Sequence, residues 1–158
     1  MEQVDPRSLQ EDQAVLLFST GASYTCEGGS AKVLLKRSTS APTTLNYVAE
    51  VHLNARVKSD LPEEQAKVAA LVVEPGTYDF WLSAGPSYSY PDPVFTKPFH
   101  VASQEVVYLG QIYARGCGAG LRIQIRDREE RDLEYIRAAY PAARSMSAQR
   151  RLLEIRQR

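Results

Sequence analysis

The chain has 158 residues, 19 basic and 19 acidic side chains and no net charge. A chain of that length fits one domain and can bury roughly two thirds of its surface. Its balance of 44% apolar and 24% charged residues is that of an ordinary globular protein. No apolar run approaches the roughly 20 residues of a membrane-spanning helix, and no surplus of charge marks the whole chain as a polyanion binder.

Residues 1–12 show no periodicity and read as a loose leader. They are too polar to be the apolar part of a signal peptide, which mature exported proteins lack in any case. Ala14–Phe18 is a short apolar run and a first strand. Residues 19–30 form a Gly/Ser/Thr-rich loop carrying Cys26. Ala31–Arg37 alternates, with Val33 and Leu35 inward. Leu45–Val57 alternates over a span of roughly 40 Å, long enough for a strand to need a bend or bulge. After a polar loop, Gln65–Val73 is a strand that ends at the Pro75-Gly76 turn. Thr77–Ser83 returns with Tyr78, Phe80 and Leu82 inward and Trp81 outward. Residues 84–94 hold three prolines, which fix φ and remove backbone donors, so they form no regular element. Phe95–Val101 reads as an edge strand because of Pro98. Glu105–Arg115 is a long strand with a bulge or close approach at Gly110. Leu121–Arg126 alternates again.

The period then changes. Asp127–Glu130 resembles a capping box. Leu133, Ile136 and Tyr140 follow at helical spacing, and Pro141 stops that helix. A second, weaker helix is expected from about Ser147 to Arg156, with Leu152 and Ile155 as its apolar edge. Strands followed by helices, without βαβ alternation, predict an antiparallel sandwich of about seven or eight strands (Ig/transthyretin-like) with one or two C-terminal α-helices. The expected organisation is a leader (1–12), a β-sandwich (13–126) and a helical extension (127–158).

Candidate sites are few. Cys26 and Cys117 are the only cysteines, both in glycine-rich loops. A disulfide between them would close a loop of about 90 residues, worth roughly 4–5 kcal/mol in the chain-entropy model, and would place the protein in an oxidising compartment. Two unpaired thiols are the alternative. No cofactor is expected, nor a metal, since two cysteines and two histidines without ligand spacing make a poor set. His52 and His100 lie on strands, and no nucleophile elbow is present. The acid pairs Glu63-Glu64 and Glu129-Glu130 read as solvated surface. Gly116-Cys117-Gly118-Ala119-Gly120 lies between two strands and reads as a hairpin turn, because a phosphate cradle needs a helix after it.

Trp81, Tyr88, Tyr90 and Phe95 surround the proline-rich loop and form the best binding candidate. From Arg115 onward, eleven arginines face six acids, so the C-terminal segment is positive and the remainder negative. Arg144, Arg150, Arg151 and Arg156 form a basic tail, read as a solvated helix face or as a contact for an anionic partner. Alternation with acids up to Glu134 weighs against nucleic acid.

Val73-Glu74-Pro75-Gly76-Thr77-Tyr78, followed by Glu105-Val106-Val107-Tyr108-Leu109-Gly110 and an Arg/Asp-rich segment ending Tyr140-Pro141, resembles uncharacterised bacterial lipoproteins and periplasmic proteins of the carboxypeptidase-regulatory or transthyretin-like sort. The resemblance implies export, with anchoring by an N-terminal lipid in some members, and no known catalytic residues. This chain has no cysteine near its start. The expectation is therefore a non-enzymatic envelope module, periplasmic or associated with the outer membrane, that binds a protein partner and is monomeric or weakly self-associating. The alternatives are an envelope immunity or inhibitor protein that plugs a toxin or enzyme, a thiol- or histidine-dependent enzyme, and a cytoplasmic location.

Overall fold

The structure is a computed structural model and describes residues 9–22, 30–38, 47–53, 58–85, 94–116 and 122–157. Its strands are β1 (Ala14–Ala22), β2 (Ser30–Arg37), β3 (Tyr47–Leu53), β4 (Gln65–Val73), β5 (Gly76–Gly85), β6 (Val94–Phe95), β7 (Phe99–Val101), β8 (Val106–Arg115), β9 (Arg122–Arg126) and β10 (Gln149–Arg150). One α-helix, α1 (Glu129–Ala139), lies between β9 and β10. The expected mainly-β sandwich with a C-terminal helix is the observed fold.

The strands form two sheets. In the first, β1 lies between β4 and β8. The far side of β8 is shared: β10 pairs with Val107 and Tyr108, and β9 with Gln111–Arg115. In the second, the order is β3, β2, β5, with β6 and β7 following one another along the free side of β5. The edge strand expected over Phe95–Val101 is broken at Lys97-Pro98. Thr96 spans the break: its hydroxyl accepts the Phe80 N–H at 2.9 Å and its own N–H donates to the Phe80 carbonyl.

The pairing departs from an all-antiparallel sandwich. β1 runs antiparallel to β4 but parallel to β8, and β10 is also parallel to β8. A strand between two neighbours, with both faces covered, is apolar at every position rather than at alternate ones. Ala14-Val-Leu-Leu-Phe18 has that character, and all five residues are buried.

The two faces of the first sheet therefore carry two cores. Towards the second sheet, Leu16 and Phe18 pack with Val33, Leu35, Tyr78, Phe80, Val107 and Leu109. Phe18 meets the ring of Phe80 edge-on at 5.0 Å, and Phe80 stacks on Phe99 at 5.9 Å. On the other face, Val15, Leu17, Val68 and Tyr108 pack against Leu133 and Ile136 of α1. The helix is thus a third layer over one sheet.

Residues 149–156 are extended, not helical as expected from Leu152 and Ile155. After β10, Arg151 and Leu153 donate their N–H groups to the carbonyls of Tyr108 and Leu109 in β8. The chain then crosses to the second sheet. There the Lys97 N–H donates to the Glu154 carbonyl, the Arg156 N–H to the Phe95 carbonyl, and Thr96 bridges Ile155. Leu153 enters the main core. This strap closes one side of the sandwich, because two strand edges offer backbone partners that an isolated helix would forgo. The amino end of α1 also differs from expectation. Its cap is Arg128, without a side-chain cap bond, and in place of a capping box Asp127 Oδ1 accepts the Glu129 N–H at 3.2 Å.

Gly110 marks where β8 exchanges β10 for β9. The β1–β8 register slips between Leu17 and Ser19, opposite this residue, and φ is +97°. A Cβ here would lie 3.1 Å from the Arg126 carbonyl oxygen, 3.1 Å from Ile125 Cγ2 and 3.2 Å from Leu152 Cδ2. Gly110→Ala is expected to cost about 1–3 kcal/mol, read as a lower urea midpoint at unchanged slope. A wild-type midpoint would show that the bulge has room for a side chain.

The edge of β4 is capped over half its length. Ser59 and Asp60 take the outward backbone groups: the Ala66 N–H donates to Ser59 Oγ at 3.0 Å, and the Val68 N–H to Asp60 Oδ2 at 2.9 Å. Such caps blunt an edge that another chain would otherwise extend.

Candidate functional site

Three places concentrate polar or aromatic chemistry. The first lies where the amino end of α1 meets the first sheet. Asp132 falls four residues before Ile136, on the inner side of the helix, and is 1% exposed. Its Oδ2 accepts the Ser19 hydroxyl at 2.5 Å and the Tyr108 hydroxyl at 2.9 Å. Its Oδ1 accepts Arg131 Nε at 2.9 Å and Nη2 at 2.8 Å. Arg131 also pairs with Glu64, which accepts Gln111 Nε2 at 2.6 Å. Gln111 lies over Gly21: a Cβ there would come within 2.4 Å of its Nε2, so the amide would have to shift.

The electrostatics follow from this geometry. Burial pushes Glu64 up, but the hydrogen bonds from Gln111 and Arg131 and the arginine's charge more than offset it and hold the carboxyl below its ordinary 4.5. Burial, then the charge of Asp132, raises Tyr108 far above the usual tyrosine range, so it acts as a permanent donor. Burial works against the Arg131 cation, and its two carboxylate partners outweigh that. The Asp132 carboxylate is saturated by four donors, and Ser19 donates to it directly with no imidazole between them. This arrangement locks the helix to the sheet.

The second place is the outer face of the second sheet. The Trp81 indole N–H donates to Asp79 Oδ2 at 3.2 Å, Phe95 meets the indole edge-on at 5.0 Å, and the Lys36 ammonium lies 5.2 Å from its centroid. Asp79 is buried and also accepts the Ser38 hydroxyl at 3.0 Å. Trp81 and Phe95 are half-buried. Tyr88 and Tyr90 lie outside the described residues.

The third is an open groove of about 410 Å³ between the strap and β7, lined by Lys97, Phe99, His100, Glu105, Arg151 and Leu152 among others. Its charges pair with each other: Lys97 with Glu154, and Arg151 with Glu105 at 3.3 Å. A backbone hydrogen bond to Ala102 and then the Arg151 contact hold Glu105 below the usual carboxylate range, against a smaller opposing effect of burial. His100 is exposed, with Nδ1 3.2 Å from the Thr77 hydroxyl.

The basic tail does not form one face. Arg144 is exposed beyond the helix, Arg150 pairs with Asp127, and Arg151 grips the His100 carbonyl and Glu105. Arg156 is exposed at the crossing to the second sheet. An extended strap with alternating directions disperses what a helix would have gathered. Cys26 and Cys117 both lie outside the described residues. β8 and β9 pair antiparallel with Arg115 opposite Arg122, and the turn expected of the glycine-rich stretch lies, from Cys117, outside the described residues. Sequence reasoning missed Asp132 and treated Glu64 as solvated. The available signal was the placement of Asp132 on the apolar side of α1, one residue before Leu133.

Among the described residues no helix is long and apolar enough to cross a membrane, and no group of three or more His, Cys, Asp or Glu side chains converges as a metal site. No protein-family model matches the chain, and no curated protein matches it.

Proposed function

We propose that this chain is a non-enzymatic module of the bacterial cell envelope that binds a protein partner through the outer face of its second sheet. The carrying observation is the different treatment of the two outer faces. The first sheet is covered by α1 across β1, β4 and the start of β8, over a second core. The second presents Trp81 and Phe95 edge to face, with Trp81 oriented by Asp79 and flanked by Lys36. A large aromatic held in one orientation loses little entropy on binding and is a typical energetic anchor of protein interfaces. The envelope assignment draws on the resemblance of the Pro75–Tyr78 and Glu105–Gly110 motifs and on the two loop cysteines.

The test is capture of partners from envelope extracts of the native host on the immobilised protein, followed by titration of the purified partner. Trp81→Ala is expected to weaken that complex by about 2 kcal/mol or more, roughly thirtyfold, measured at a temperature where the melting curve shows the variant fully folded. A complex insensitive to both Trp81→Ala and Phe95→Ala would remove this face from consideration. Export is tested separately by intact mass after alkylation of periplasm-expressed protein under denaturing, non-reducing conditions: unmodified mass supports it, and two alkylated thiols oppose it.

A further inference from the structure

We infer that the groove between the strap and β7 is a docking slot for an extended, uncharged segment of a protein partner, held by its main chain. The slot is the opening of a fork. Up to Lys97 the strap follows the edge of the second sheet: the Arg156 N–H donates to the Phe95 carbonyl, the Lys97 N–H donates to the Glu154 carbonyl, and Thr96 bridges Ile155. Pro98 has no N–H and cannot continue that pairing. Beyond it the two chains part. β7 stays with β5, while Arg151 and Leu153 donate their N–H groups to β8. The space left between them, about 410 Å³, lies within the range of roughly 300–1,000 Å³ usual for ligand sites.

Both prongs turn backbone groups into the fork. Leu152 lies in extended chain between two residues that face β8, so its own N–H and C=O face the other way. Neither has a backbone partner among the described residues. On the other prong, the Ser38 N–H donates to the Thr77 carbonyl, which turns Thr77 towards β2. His100 is the cross-strand partner of Thr77. The two form a non-hydrogen-bonded pair, and the His100 N–H and C=O point away from β5. The His100 carbonyl accepts Arg151 Nη1, a side-chain donor at a place where a neighbouring strand would supply a backbone N–H. A ligand N–H can replace that guanidinium, which keeps Glu105 Oε1 at 3.3 Å and Gln149 Oε1 at 3.0 Å. The edge of β4 is capped differently, by Ser59 and Asp60 directly on its N–H groups. An edge left open inside a groove is suited to an added strand.

The lining selects the occupant. Lys97 pairs with Glu154 and Arg151 with Glu105, so these four charges cancel in place and offer no preference to an acidic or a basic ligand. Pro98, Phe99, Ala102 and Leu152 make much of the remaining wall apolar, and Leu152 is 37% exposed. A segment with an apolar side chain at every second residue covers that wall and keeps its main chain free to pair with His100 and Leu152. Neither Trp81 nor Phe95 lines the groove, so this slot is independent of the outer face of the second sheet.

The test uses the full chain and a fluorescein-labelled peptide of alternating Thr and Val, about seven residues long, followed by anisotropy. Expected is saturable binding that is unchanged between about 20 and about 150 mM salt. The same peptide N-methylated at alternate residues keeps every side chain but loses one row of donors, and is expected to bind at least tenfold more weakly. His100→Pro removes the outward N–H at a position where an edge strand tolerates proline, and is expected to weaken binding about tenfold at a temperature where its melting curve shows it folded. Leu152→Ala is expected to weaken binding about fivefold, and Trp81→Ala to leave it unchanged. No saturation up to about 1 mM peptide, equal affinity for the N-methylated peptide, full binding by folded His100→Pro, or tighter binding of a Glu/Thr or Lys/Thr peptide would each overturn the proposal.

Discussion

Asp132→Ala is expected to destabilise the protein by about 3–5 kcal/mol, the usual cost of removing one partner from a buried, hydrogen-bonded ion pair. The carboxylate receives four donors from three residues on three different elements: Ser19 of β1, Tyr108 of β8, and Arg131 of α1. Its loss leaves the hydroxyl protons of Ser19 and Tyr108 without their acceptor, and Arg131 with Glu64 and a 3.3 Å bond to the Ser19 oxygen. Asp132→Asn keeps the volume but turns donors towards donors, so it should be only slightly milder. In a chain of this size the loss corresponds to a melting temperature lower by on the order of 10 °C. Glu134→Ala, on the exposed side of the same helix, should stay within about 0.5 kcal/mol of wild type. A change below about 1 kcal/mol for Asp132→Ala would mean that water replaces the carboxylate without cost, and the helix would not be locked as described.

The same cluster sets the acid limit. Glu64 has a folded pKa below its ordinary 4.5. A depressed carboxyl contributes fully above its unfolded pKa, and the contribution disappears as pH falls through the folded value. Stability should therefore decline from about pH 4.5 downward, and Glu64→Gln should flatten that limb while lowering stability at neutral pH. Glu105, also depressed, adds to the same limb through the strap. A wild-type acid limb in Glu64→Gln would assign the decline elsewhere.

Removing residues 149–158 is expected to cost more than any single substitution outside the cores, and to leave a chain that aggregates. Leu153 alone, buried in the main core, should cost about 2–5 kcal/mol as Leu153→Ala. Truncation also deletes backbone bonds to Tyr108, Leu109, Lys97 and Phe95 and uncovers strand edges in both sheets. Uncovered edges template intermolecular pairing. The contrast is between the truncated chain and Leu152→Ala, whose side chain is over a third exposed and should cost under about 1 kcal/mol. A truncated chain that melts with the wild type would show that the strap does not hold the sheets together.

Much of this fold was legible where local pattern and tertiary environment agree. Gln65–Val73 was read with its observed bounds, and Tyr78, Phe80 and Leu82 alternate inward because β5 has one face in the core and one outside. Gly110 was readable as a bulge for the same reason: a lone glycine in a long strand has few other uses. The strap was misread because Arg, Gln, Leu and Glu are good helix formers, and Leu152 and Ile155 happen to be three apart. The residues that face the core, Leu153 and Ile155, are two apart. That choice is made by edges of β8 and β6 distant in sequence, and no local window contains them. The parallel β1–β8 pair was similarly hidden, although five consecutive apolar residues carried the hint. Asp132 was illegible as a site because its partner Ser19 lies 113 residues away, and within the run Glu129–Glu134 one acid looks like another.

The parallel pairing of β1 with β8 joins Val15 to Val106, some 90 residues apart, and the strap that seals β8 comes last of all. Long-range pairings of this kind delay folding, since the chain loses loop entropy before contacts return it. During synthesis at about 5–20 residues per second, the first strand can meet β4 early but waits several seconds for β8, its second neighbour. Until β8 arrives, one edge of that apolar run lacks its native partner. The first sheet can be completed only once almost the whole polypeptide has left the ribosome, because β8, β9 and β10 all follow residue 105.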